Sequence, residues 1–76
     1  MSRTKSITAA EYEAANREQL DWGNAVYDAI GIQADVSRGD AQAIAEGQQS
    51  VFDTAWALRA LPADAAAAIL QKAEAP

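Results

Sequence analysis

The sequence predicts an all-α fold: an antiparallel helical hairpin with a short C-terminal third helix, pairing into a homodimeric helical bundle. Apolar residues recur at alternating steps of three and four along most of the chain, which is the period of one helix face. Alanine, the residue with the highest helix propensity, supplies 20 of the 76 positions. We expect residues 1–7 to form a disordered tail and residues 8–76 to form a single helical domain.

Helix 1 carries the clearest start signal in the chain. The side chain of Thr8 can accept a hydrogen bond from the backbone three residues on, and Glu11 can return one, which together make a capping box. The sequence allows two different C-terminal ends for this helix. Gly31 is suited to terminate it, but apolar residues continue to Val36, so we expect helix 1 to end near Val36.

Turn chemistry separates helix 1 from helix 2. Either Ser37 or Asp40 can cap the next helix, which we expect to run over residues 40–61. Pro62 is suited to the first turn of a helix because it lacks the N–H that would be unpaired there. A third, alanine-rich helix is therefore expected over residues 63–74.

The core available to one chain is thin. Only 18 side chains are Val, Ile, Leu, Met, Phe, Tyr or Trp, and small domains with few large apolar residues usually need a disulfide, a metal or oligomerisation. The chain has no Cys and no His, which excludes disulfides and removes the usual zinc ligands. We therefore expect two copies to share a core, and its expected members are Trp22, Val26, Ile30, Ile44, Val51, Phe52 and Trp56.

Composition and charge exclude several function classes. Most nucleophilic and general-base schemes use His or Cys, so we expect no enzyme, no catalytic residue and no cofactor. The spacing of acidic residues fits no metal site. A net charge of −5 disfavours direct nucleic-acid binding. No apolar run is long enough for a membrane span and no signal peptide is recognisable, so we expect a cytoplasmic protein with no membrane partner.

Two sets of residues are candidates for partner binding. Asp21, Asp28 and Asp35 repeat every seven residues and form a line of negative charge along helix 1. Trp22 and Trp56 belong to the residue types that dominate interface hot spots. The structural alternatives are an ordinary solvated face for the acids and ordinary core packing for the two indoles.

A third set is a candidate ligand pocket. Gln48 and Gln49 interrupt the apolar pattern of helix 2, and Arg59 lies further along the same predicted helix. In a paired hairpin these polar side chains can line a pocket for a small molecule. The structural alternative is that they form part of the exposed face.

No family signature covers the chain. Its general build resembles small phage- and plasmid-encoded proteins that bind and block host factors. The segments at residues 43–45 and 57–60 are similar to those of helical-hairpin phage sponges that sequester cyclic nucleotides, although the spacing differs, and no residue role is carried over from that family.

The function predicted from these observations is that of a small acidic helical interaction protein that binds and inhibits another protein. Its partners are then a second protein and a second copy of the chain. Two alternatives stay open: an oligomeric protein that binds or sequesters a small molecule such as a nucleotide, and an acidic mimic of nucleic acid.

Overall fold

The computed structural model describes residues 8–74, and in that part of the chain every regular element is a helix. The all-α prediction is confirmed. The four helices are α1 (Ala9–Ala34), α2 (Arg38–Gly47), α3 (Gln49–Ala57) and α4 (Pro62–Glu74). Neither the hairpin geometry nor the pairing of two copies is confirmed, and the predicted tail at residues 1–7 lies outside the described residues.

Both ends of α1 follow from local hydrogen bonding. The Thr8 side chain accepts from the backbone N–H of Glu11 at 3.1 Å, and the Glu11 carboxylate accepts from the N–H of Thr8 at 2.9 Å, so the predicted capping box is confirmed. The helix ends at Ala34, between the two predicted ends. Asp35 then takes a left-handed conformation with φ 58°, and its N–H donates to the carbonyl of Gly31.

The predicted helix over residues 40–61 is wrong, because the structure divides it into α2 and α3. Gln48 separates the two helices with φ −121° and ψ 50°. The preceding Gly47 has low helix propensity, and nothing lies within 4 Å of where its Cβ would be, so tertiary packing does not support a continuous helix there. The far end also differs: α3 stops at Ala57, and Arg59 is left-handed with φ 53°.

Alanine provides most of the core. Among the described residues only three large side chains are fully buried, namely Val26, Ile30 and Ile69. The other buried core members are alanines from α2, α3 and α4, which let the helices approach closely: Ala41, Ala45, Ala55, Ala65 and Ala66. The packing is centred on α1 and α4, which share the most extensive helix contact.

The core that we predicted to be shared between two copies is largely filled by one chain. Val26 and Ile30 have no accessible surface, and the predicted members Trp22, Ile44, Val51 and Phe52 pack around them half-buried. The sequence argument placed α4 at the margin, whereas its alanine face covers the apolar face of α1. Any pairing of two copies must therefore leave Val26 and Ile30 buried within their own chain.

Candidate functional site

The first exposed surface is the N-terminal part of α1, residues 9–20, here called the arm. Every residue of the arm is exposed, including Tyr12 at 58% and Leu20 at 66%. Burial begins only at Trp22 and Gly23. Twelve helical residues extend about 18 Å, and an isolated helix of that length is marginal in water. The capping box supports its start, but no other helix within residues 8–74 covers it.

A shallow cleft, here called the arm groove, lies where the arm meets the body. It has a volume of about 360 Å³ and is lined by α1 together with the ring of Phe52. Gly23 forms part of its wall, and a Cβ on Gly23 would lie 3.3 Å from Cζ of Phe52. The glycine therefore lets the aromatic ring pack against the α1 backbone, which is the close contact expected of a glycine inside a helix.

The second exposed surface is a groove between α3 and α4. It has a volume of about 420 Å³. Its lining is mainly apolar, with Leu58 at the end of α3 75% exposed. Asp64 and Lys72 line its α4 side, eight residues and about 12 Å apart along the helix. We call this surface the α3–α4 groove.

Sequence reasoning missed the α3–α4 groove. The signal was present in the spacing of Ala65, Ala68 and Lys72, which recur at steps of three and four on α4 and face the groove. Because alanine appears on every face of α4, its pattern does not distinguish a groove wall from a core face. The break at Gln48 also had to be known, since it sets the direction of α3.

The two candidate tryptophans belong to one aromatic cluster. The ring centroids of Trp22 and Trp56 are 5.3 Å apart, and Phe52 lies at the same distance from Trp22. The indole N–H of Trp22 donates to the carbonyl of Ala60 at 2.7 Å, which joins α1 to the α3–α4 connection. Both indoles are half-buried. This packing accounts for both tryptophans structurally, and their role in partner binding stays a prediction.

The three candidate carboxylates are exposed along α1. They do not form an uninterrupted negative strip, because the guanidinium of Arg38 lies 2.9 Å from the carboxylate of Asp28. Asp35 is the left-handed residue that ends α1, and Asp21 lies beside the arm. The acidic mimic of nucleic acid stays a prediction, with its central charge partly neutralised by Arg38.

The three residues of the predicted ligand pocket do not line either groove. Gln48 is half-buried at the α2–α3 break. The Gln49 side-chain amide donates to the carboxylate of Asp53 at 2.8 Å. The guanidinium of Arg59 lies 3.8 Å from the ring centroid of Trp56, a cation–π contact. Each side chain thus has a separate local role.

Within residues 8–74 no group of three or more acidic side chains is placed to hold a metal ion. In the same part of the chain no helix combines the length and apolarity that crossing a bilayer requires.

The chain matches no known protein family, no curated protein and no solved structure. What it does must be inferred from its own surfaces.

Proposed function

We propose that this chain is a small acidic helical interaction protein that binds a helical segment of another protein in the α3–α4 groove and thereby inhibits that protein. The observation that carries the proposal is the groove itself, with an apolar lining open to solvent between two helices. Amphipathic helices bind such grooves through apolar side chains spaced three and four residues apart. The proposed activity is binding alone and involves no catalysis.

The charges at the groove specify the chemistry of the partner. Asp64 lies in the first turn of α4 and Lys72 in its last turn, so the two ends of the groove carry opposite charges. A matching helix would place a basic residue near Asp64 and an acidic residue near Lys72. The net charge of −5 further favours a basic partner, since long-range attraction accelerates association.

A pair of variants on α4 tests the proposal. Ala68 and Ala67 are both exposed, but only Ala68 lines the groove. Ala68→Trp fills the groove and should abolish capture of the partner from an extract of the source organism, whereas Ala67→Trp should retain it. The captured protein is then produced alone and its affinity for both variants is measured. Equal affinity for the two variants would show that the groove is not the binding site.

A second candidate function is supported by the same volume. A cavity of about 420 Å³ falls within the range of small-molecule sites, roughly 300–1,000 Å³. Within residues 8–74, Lys72 is the only cation that lines the α3–α4 groove, so an apolar ligand fits better than a nucleotide. Native mass spectrometry of the protein purified from its source would detect such a ligand. A bound mass that is lost in Ala68→Trp and kept in Ala67→Trp would favour this function over protein binding.

Self-association is a separate proposal. The thin core predicts it, but Val26 and Ile30 are buried within one chain, and a second copy must therefore contact other residues.

A further inference from the structure

We infer that the arm is a self-association site, on which two copies pair antiparallel and each inserts Tyr12 into the arm groove of the other. This inference concerns a different surface from the α3–α4 groove and does not depend on the function proposed there. The argument rests on the exposed helix, on the self-complementary order of residues along it, and on the area left accessible.

One row of residues along α1, here called the stripe, is buried by the other helices from Gly23 onward and continues into the arm. Val26 and Ile30 are fully buried, and counting back from them by steps of four and three reaches residues 23, 19, 16, 12 and 9. These are the a and d positions of a heptad pattern, the positions through which paired helices contact each other. In the body this stripe packs on the chain's own helices, whereas in the arm it is exposed.

The stripe carries both halves of an isologous contact. In a two-fold dimer every contact occurs twice: if one residue of the first copy contacts a second residue of the partner, then that second residue of the first copy contacts the first residue of the partner. Tyr12 is the only large side chain at a stripe position of the arm, and Gly23, at the arm groove, is eleven residues away, or about 16 Å. An antiparallel pair centred between positions 17 and 18 sets each Tyr12 level with the partner's Gly23. Because the ring of Phe52 covers that glycine, Tyr12 meets the arm groove beside it.

The arm groove suits a tyrosine. The rings of Tyr27 and Phe52 stack within it at a centroid distance of 5.8 Å and are half-buried, so an incoming ring has aromatic surface to cover. Asn24 also lines the groove and offers a polar side chain to the phenol hydroxyl. A partner aromatic would thus bury apolar surface while its hydroxyl keeps a polar neighbour.

The centre of the same pair is polar and self-matching. The axis that sets Tyr12 against Gly23 also places Asn16 opposite the partner's Gln19. Each of these amides has both donors and an acceptor, so the two can hydrogen-bond across the interface. A single asparagine at an a position is known to fix register and oligomeric state at some cost in stability. Asn16 therefore favours this register over a slipped one.

An interface of standard size buries about 800 Å² from each partner. The twelve exposed residues of the arm and the arm groove beside them are the surface available for it. The shape agrees, since the molecule extends 49 Å along its longest axis and only 23 Å and 18 Å along the others.

Sedimentation equilibrium across a wide concentration range, with circular dichroism on the same samples, tests the inference. We expect the wild type to dimerise, and we expect Tyr12→Ser to raise the dimer dissociation constant at least tenfold. Ala14→Ser, at an exposed position on the opposite face of the arm, is the control and should leave it unchanged. A wild type that stays monomeric throughout, or equal effects of the two substitutions, would overturn the inference.

Cysteine cross-linking tests the antiparallel register directly, since the chain has no native cysteine. Asn16→Cys mixed with Gln19→Cys should give a disulfide between the two variants under mild oxidation. Ala14→Cys mixed with Asp21→Cys has the same axial offset on the outer face and should cross-link at least tenfold more slowly. Equal rates would contradict the proposed pairing. Ala68→Trp should leave dimerisation unchanged, so failure of either proposal does not decide the other.

Discussion

The two halves of α1 are one continuous helix held in place by different forces. Residues 9–20 have a capping box and high alanine content but no buried residue. Further along, Gly23, Val26 and Ile30 are buried where α4, α2 and the ring of Phe52 pack against α1. Local signals are thus enough to place a helix, and packing decides which of its residues contribute to global stability. The exposed half is the half on which a partner can act.

The largest expected effect separates buried from exposed residues within α1. Ile30 has no accessible surface, and Ile32, two positions on, is 81% exposed. Ile30→Ala should lower the free energy of unfolding by about 3 kcal/mol, through lost burial and the cavity left behind. Ile32→Ala should change it by less than about 0.5 kcal/mol. Urea titration measures both, and similar losses for the two variants would place the core elsewhere.

A smaller effect is expected from removing the N-terminal cap of α1, in the arm, or the N-terminal cap of α2, in the packed part of the molecule. Thr8 accepts from the N–H of Glu11 at 3.1 Å, and Ser37 accepts from the N–H of Asp40 at 3.2 Å. Removing either hydroxyl costs about 1 kcal/mol. Because α2 is packed, Ser37→Ala should lower the global stability by that amount.

In the arm the same loss should remain local. Thr8→Ala should speed hydrogen exchange of the arm amides and reduce the helical signal, with the melting midpoint unchanged at concentrations where the protein is monomeric. Thermal melts and amide exchange on the same samples distinguish the two caps. If Thr8→Ala lowers the midpoint as much as Ser37→Ala does, the arm is coupled to the body.

The parts of the fold that could be predicted are those set by neighbours in sequence. The Thr8 capping box and the start of the last helix depend on a few adjacent residues. The capping box is present, and the helix begins at Pro62, one residue before the expected start at residue 63. The break at Gln48 follows Gly47, whose low helix propensity is a local signal. Whether packing would hold a helix together there depends on tertiary contacts, and none lies within 4 Å of the Cβ position of Gly47.

The alanine core could not be predicted for a related reason. Ala41, Ala45 and Ala66 are almost completely buried, yet alanine is equally common on exposed helix faces, so composition does not show which alanines pack. The α3–α4 groove could not be predicted for the same reason, because the alanines that line it are not distinguishable by sequence from those in the core. The candidate residues chosen for charge or aromaticity lie at exposed or half-buried positions, and none of them lines either of the two grooves.

The smallest expected effect is at the junction where the packed half of α1 ends. Asp35 has φ 58°, a left-handed conformation that glycine adopts without strain, and its carboxylate lies at the negative end of the helix dipole. Asp35→Gly should therefore raise the free energy of unfolding by about 0.5–1 kcal/mol. Asp21→Asn, on the same acidic line but within the helix, should be neutral. Urea titration of both variants measures the two changes. If Asp35→Gly lowers the free energy of unfolding instead, the Asp35 carboxylate makes a stabilising interaction that outweighs the strain of its left-handed backbone.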